Sequence, residues 1–239
     1  MIIEVCVDNI ESAIHAAQAG AKRIELCDNL FEGGTTPSAG AIEIVRQQID
    51  IGLHVIIRPR GGDFLYSDLE MEIMRKDIEA AKRLGADGVV IGVLNADGSV
   101  DVNRSAQLVS VARPMSVTFH RAFDMTRDPL EALEDIISLG ADRLLTSGQE
   151  RSAIEGQILI KELMEKAGDE IIIMPGGGID EHNIHLMEAI GAKECHVSVR
   201  KTEVSDMKYR NSRVYMGGTL RMPEFERQVT DPDRLRKLL

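Results

Sequence analysis

The chain has 239 residues, 44% of them apolar, and carries a net charge of −11 with a pI near 5.1. That length suits one α/β barrel. The acidic balance, 3% aromatic content and absence of tryptophan argue against nucleic acid or an anionic membrane as partner. No apolar run approaches the roughly 18 residues that cross a bilayer. The opening "MIIEVCVDNIESA" lacks the basic flank and long apolar stretch of a secretory signal. Three cysteines, Cys6, Cys27 and Cys195, form no disulfide framework and fit free thiols in a reducing compartment. A soluble cytoplasmic protein is expected.

Strands are expected near 2–7, 23–27, 53–58, 88–92, 115–120, 143–147, 171–174 and 194–199, with amphipathic helical segments between them. Four of the junctions repeat a helix ending in Gly-Ala and then a strand: "AGAKRIELC", "LGADGVVIG", "LGADRLLTS" and "IGAKECHVS". Glycine there ends a helix in a left-handed cap. Each interval between repeats has room for two βα units, and the whole predicts a TIM (β/α)8 barrel as one domain over 1–239. The barrel proper would occupy about 2–199, with a loop and helix over 200–239.

In chain order, strand 1 carries Glu4-x-Cys6 and strand 2 carries Glu25-x-Cys27. Alternate strand residues share a face, so both pairs point one way, and two thiols on neighbouring strands meet at the mouth if that way is inward. Such a pair suits the soft ion Cu(I). Buried as small apolar groups, the same cysteines need no ligand. Strand 3 ends in "IIRPRGGDF", bringing Arg58 and Arg60 to the mouth as expected partners for Glu4 and Glu25. The helical segment "DLEMEIMRKDIEAAKRLG" presents Leu69, Ile73, Ile78, Ala81 and Leu84 as its apolar stripe.

Strand 5 ends in "TFHRAFD", contributing His120, Arg121 and Asp124, and "DPLEALEDIISLG" opens a helix with an Asp cap and proline in the first turn. Strand 7 runs into "MPGGGIDEHN" and strand 8 into "HVSVRK". Gly176, Gly177 and Gly178 before a helix, with Ser198 and Arg200 beside them, form an expected anion site. Arg58 and Arg60 would neutralise charge there, and Glu4, Glu25 or His120 would move protons. His182 and His185 are expected in solvent, and Cys195 against the helices. Aligning the repeats puts Glu25, Val90, Leu145 and His196 at one level and the small residues Cys27, Gly92, Ser147 and Ser198 at the next, as an open mouth requires. Arg23, Arg143 and Glu194, at strand starts, are expected in ion pairs at the far end. Met71, Met74, Met207, Met216 and Met222 read as core filling. Residues 199–239 hold ten Lys or Arg against six Asp or Glu, a basic segment suited to an anion or a subunit interface.

The segments "EVCV", "RIELCDNL" with "GGTTPS", "IIRPRGGDFLYS", "GADGVVIGVL", "TFHRAFD", "LLTSGQE", "IMPGGGI" and "HVSVR" together resemble the CutC family, the so-called copper homeostasis proteins. The resemblance covers most of the chain. It implies a TIM barrel, a cytoplasmic location and a homo-oligomer, and it carries the family's proposed Cu(I) ligands onto Cys6 and Cys27. It names no reaction. Three readings follow: a Cu(I)-binding protein with Arg58 and His120 around the thiols, an enzyme acting on a small anionic or phosphorylated metabolite, and a barrel that acts through assembly.

Overall fold

The computed structural model describes residues 1–214, 216 and 224–239. Eight short strands alternate with helices: β1 (Ile2–Val7), α1 (Ile10–Ala19), β2 (Arg23–Leu26), α2 (Ala39–Gln48), β3 (Gly52–Ile56), α3 (Asp68–Arg83), β4 (Gly88–Ile91), α4 (Val102–Ala112), β5 (Ser116–Phe119), α5 (Pro129–Ser138), β6 (Arg143–Thr146), α6 (Gln157–Ala167), β7 (Ile172–Pro175), α7 (Ile184–Ala189) and β8 (Glu194–Val197). All strand pairs are parallel and sequential, β8 pairs with β1, and a parallel bridge from Gly176 to His196 joins the ends of β7 and β8. Followed once around the barrel, the registers close with an offset of eight residues, the stagger of a (β/α)8 barrel.

The strands are where the sequence places them, to within one or two residues at their ends. All four Gly-Ala glycines, Gly20, Gly85, Gly140 and Gly191, have φ between 70° and 107°, the left-handed region that lets a helix stop and turn at once into the next strand. Helix starts are equally local. Asn9 caps α1, Ser67 and Glu70 form a capping box on α3, and Asp128 with Pro129 opens α5.

Outward residues Val5, Ile24, Leu53, Val89, Val117, Leu144 and Val197 are fully buried between barrel and helices. This annular layer is the main apolar core, and Cys195 packs within it. The buried face of α3 is Met74, Ile78 and Ala81, whereas Leu69 and Ile73 are 77% and 48% exposed. The expected stripe was therefore too far round the helix: a face at spacing i, i+4, i+7 centred on Met74 leaves both outside. Met71 packs beside Met74, but Met207 and Met216 are exposed rather than core filling, and Met222 lies outside the described residues.

Beyond β8 the chain forms an antiparallel hairpin, β9 (Arg200–Val204) with β10 (Glu226–Thr230), and then α8 (Pro232–Arg236). A loop and helix had been expected, and the hairpin was not. It rests on α1: Asn9 donates to the Gln228 carbonyl, the Thr230 N–H donates to Ser12 Oγ, and Val229 and Leu235 are buried. Several of its cations are already paired, Arg234 with Glu181 at 2.6 Å and Arg227 with Glu11 at 2.6 Å. Among the described residues, no helix is long and apolar enough to cross a membrane.

Candidate functional site

The barrel interior is polar at its floor. Glu4, fully buried, accepts from Arg23 Nε at 2.5 Å and pairs with His196 Nδ1 at 2.8 Å; Arg23 also pairs with Glu194, which Arg143 reaches at 2.8 Å. The ion pairs expected for Arg23, Arg143 and Glu194 are thus present, and they extend upward to Glu4. Arg58 and Arg60 are not the partners of the carboxylates. Arg58 donates to the carbonyls of Glu32, Gly34 and Gly62, clamping the loops after β2 and β3, while Arg60 pairs with Glu70 and Asp63 and lies over the Tyr66 ring. The reason is stagger: Glu4 sits below the level that the ends of β3 reach, beside Arg23 and His196 in register.

One level up, Glu25 pairs in register with Cys6 and lies 3.5 Å from His196 Nε2. The Cys6 and Cys27 sulfurs are 3.8 Å apart, both buried. One ligating atom each from Cys6, Glu25 and His196 lie within 4.8 Å of one another. Hydrogen bonding from the Cys27 thiol, with His196 beside it, outweighs burial and brings Cys6 down to about 5. Cys27, as the donor and deeply buried, is pushed well up. Burial and the neighbouring Cys6 charge raise Glu25 to about 8. Burial works against the ionised Glu4, but the hydrogen bond and charge of His196, with Arg23 and His54, hold it well below the carboxylate range. Burial likewise opposes the His196 cation, yet hydrogen bonds to Cys6 and Glu4 hold it well above the usual value. At neutral pH these directions give a Cys6 thiolate, a protonated Glu25 and a His196 imidazolium. Cys195 stands apart, driven up to about 12 by burial.

Above this floor opens a cavity of about 380 Å³, walled by Leu30, Ile56, Phe64 and Leu145 and rimmed by Arg121, Arg200 and Ser198. Cys6, Glu25, Arg58, His120, Gly177 and Gly178 also line it. Arg60, Gly176 and Cys27 do not: Gly176 is buried in its bridge to His196, and Cys27 lies behind Cys6. Gly177 and Gly178 have positive φ and lead into Ile179, but α7 begins only at Ile184, so the expected helix N-terminus is absent from the site. Among the described residues, the N–H groups of Gly178 and Ile179 find no acceptor. His182 and His185 are exposed, as expected.

The level of small residues has a different cause from the one expected. Of Cys27, Gly92, Ser147 and Ser198, only Ser198 borders the cavity. Gly92 is small because a Cβ there would stand 2.4 Å from the His120 ring. Ser147 bonds Arg121 and Asp124, so Asp124 fixes the β5 and β6 loops rather than facing a ligand. His196 was not among the residues expected at the site. Its signal was available, since the repeats place it level with Glu25, and closure of β8 onto β1 turns that level into contact.

The family model described as "CutC family" matches residues 1–201. A human protein named "Copper homeostasis protein cutC homolog" is 52% identical over 238 residues, covering 99% of this chain and 87% of its own. A CutC family protein of Chromobacterium violaceum is 51% identical, covering 99% and 96%. The crystal structure of CutC from Streptococcus agalactiae superposes with a TM-score of 0.78 at 36% identity, covering 82% of this chain and 97% of that one. Phosphoribosyl anthranilate isomerase from Thermus thermophilus, 13% identical with a TM-score of 0.57 and covering 100% and 96%, shares the barrel alone. With the family model spanning the barrel and relatives at half identity spanning nearly the whole chain, the protein belongs to the CutC family.

Proposed function

We propose that the chain binds Cu(I) through Cys6 and Cys27, with His196 as a third donor. The observation that carries this is the 3.8 Å sulfur separation in a buried, thiolate-stabilising setting. An ion held in line between two thiolates at bonds of about 2.3 Å needs a span of roughly 4.6 Å. A shorter span bends the ion toward further donors, and a His196 ring nitrogen is the neutralisable one at hand. Thiolate and imidazole donors select a soft ion, and the human relative's name agrees. The three free thiols support a reducing compartment, and the cytoplasm is part of this proposal. Titration of the reduced protein with Cu(I) against a chromophoric chelator is expected to show one equivalent bound, abolished by Cys6→Ser and by Cys27→Ser. Unchanged binding in the double variant removes the proposal.

A second reading, a small anionic ligand in the same cavity, rests on volume. About 380 Å³ far exceeds one ion and falls in the range of metabolite pockets. Arg121, Arg200 and the N–H groups of Gly178 and Ile179 supply the donors. Inorganic phosphate or succinate is expected to raise the melting temperature, and Arg200→Ala to remove the rise. No shift from either anion counts against it.

A further inference from the structure

Cys6, His196 and Glu4 stand in an order that metal binding does not require. Glu4 Oε1 holds His196 Nδ1 at 2.8 Å, and the Arg23 guanidinium fixes Glu4 in turn. The other ring nitrogen, Nε2, lies 3.5 Å from Glu25, and a His196 ring nitrogen lies within 4.8 Å of Cys6 Sγ. Cys6 lines the cavity, and His196 lines it too. A nucleophile beside a base, with the base oriented by a buried carboxylate, is the arrangement of covalent acyl transfer, and such contacts are often loose without substrate. The rim carries two arginines, Arg121 paired with Asp124 at 2.7 Å and Arg200 with Asp8 at 3.6 Å, with Glu32 also on the lining; Arg121 Nη1 makes no hydrogen bond among the described residues.

We propose that this chain is an acyl hydrolase for small esters or thioesters bearing a carboxylate or phosphate, with Cys6 as nucleophile, His196 as acid and base, and Glu4 as positioning residue. The Cys6 thiolate, whose proton already rests on His196, forms a C–S bond to the acyl carbon. The bond to the leaving oxygen or sulfur breaks, and that atom takes the proton from His196. Water then attacks the thioester, His196 accepts its proton, the C–S bond breaks, and the Cys6 thiolate and His196 imidazolium are restored. The net change is ester plus water to carboxylate, one proton, and alcohol or thiol. Arg121 and Arg200 hold the anionic tail at the rim while the acyl group reaches the floor. The proposal stands independently of copper, and its test excludes the metal.

The metal-free, reduced full chain is mixed with mono-4-nitrophenyl succinate. The expected result is a burst of about one equivalent of 4-nitrophenolate, with a succinyl group found by mass spectrometry on the peptide containing Cys6 and absent from Cys6→Ser. His196→Asn, checked for folding by circular dichroism, is expected to slow acylation about 100-fold or more. Glu4→Gln, which removes the anion that holds the His196 imidazolium, is expected to shift the pH profile of acylation to lower pH, which a merely structural role would not do. Arg121→Ala is expected to raise KM for the succinyl ester and not for neutral 4-nitrophenyl acetate. No burst, a label elsewhere than Cys6, or an undiminished rate in folded His196→Asn would overturn the proposal.

Discussion

Single buried side chains set the pH response of this protein. Burial holds His54 down to about 4 and His120 to about 3. The His120 ring accepts from the Ala122 N–H through Nδ1, so the neutral form is the one built into the wall. Both rings stay neutral in the folded state while the unfolded chain takes up protons below about 6.5. Stability is therefore lost as pH falls from 6.5 toward 4, by about 3 kcal/mol per ring at pH 4. Other groups do not mask this window. Cys6, lowered, and Glu25, raised, act in opposite directions across it, and His196 is protonated in both states. Urea midpoints at pH 7, 5.5 and 4 are expected to fall in that order, and His120→Gln to flatten the fall. A pH-independent midpoint would contradict the burial assigned to these rings.

At the scale of the strand, one residue type at one level decides what the next strand can hold. Gly92, at the end of β4, leaves room for the His120 ring at the end of β5, and Gly88 does the same for His54 across β3. Neither glycine has a φ that demands glycine, so the requirement is space. Gly92→Ala is expected to cost about 1–3 kcal/mol by overpacking and to shift the His120 ring resonances in an NMR spectrum, because its Cβ would also stand 2.9 Å from Ala122. A variant with unchanged stability and an unmoved ring would show that the strand end relaxes instead. The same logic links β1 and β2: Glu-x-Cys on each places the carboxylates low and the thiols high, and the two pairs are offset by two residues, so that Cys6 stands level with Glu25.

Across the whole barrel, charge is divided by height. The floor joins β1, β2, β6 and β8 through Glu4, Arg23, Arg143 and Glu194. Such buried pairs are weak evidence of net stability, but removing one member strands a buried charge. The middle holds the thiol pair, Glu25 and His196, and the rim holds Arg121 and Arg200. The carboxy-terminal hairpin and α8 lie against α1, and Arg200 at the start of β9 is the point where that appendage touches the cavity.

Local chemistry made the architecture legible in the amino-acid sequence. Four Gly-Ala caps, helix starts at Asn9, Ser67 and Asp128, and eight short apolar runs each act through neighbours in the chain, and they sufficed for the (β/α)8 barrel. The Glu-x-Cys pairs pointed to an inward thiol pair for the same reason, since strand alternation is local. The partners of Glu4 and Glu25 were not legible. They depend on barrel closure, which sets β8 beside β1, and on stagger, which drops Glu4 below Arg58 and beside Arg23 and His196. The carboxy-terminal hairpin was hidden because its pairing spans residues distant in sequence. Residue identity and spacing determined the fold and the two thiols, whereas only closure of the sheet decided which histidine, which arginines and which cavity those thiols face.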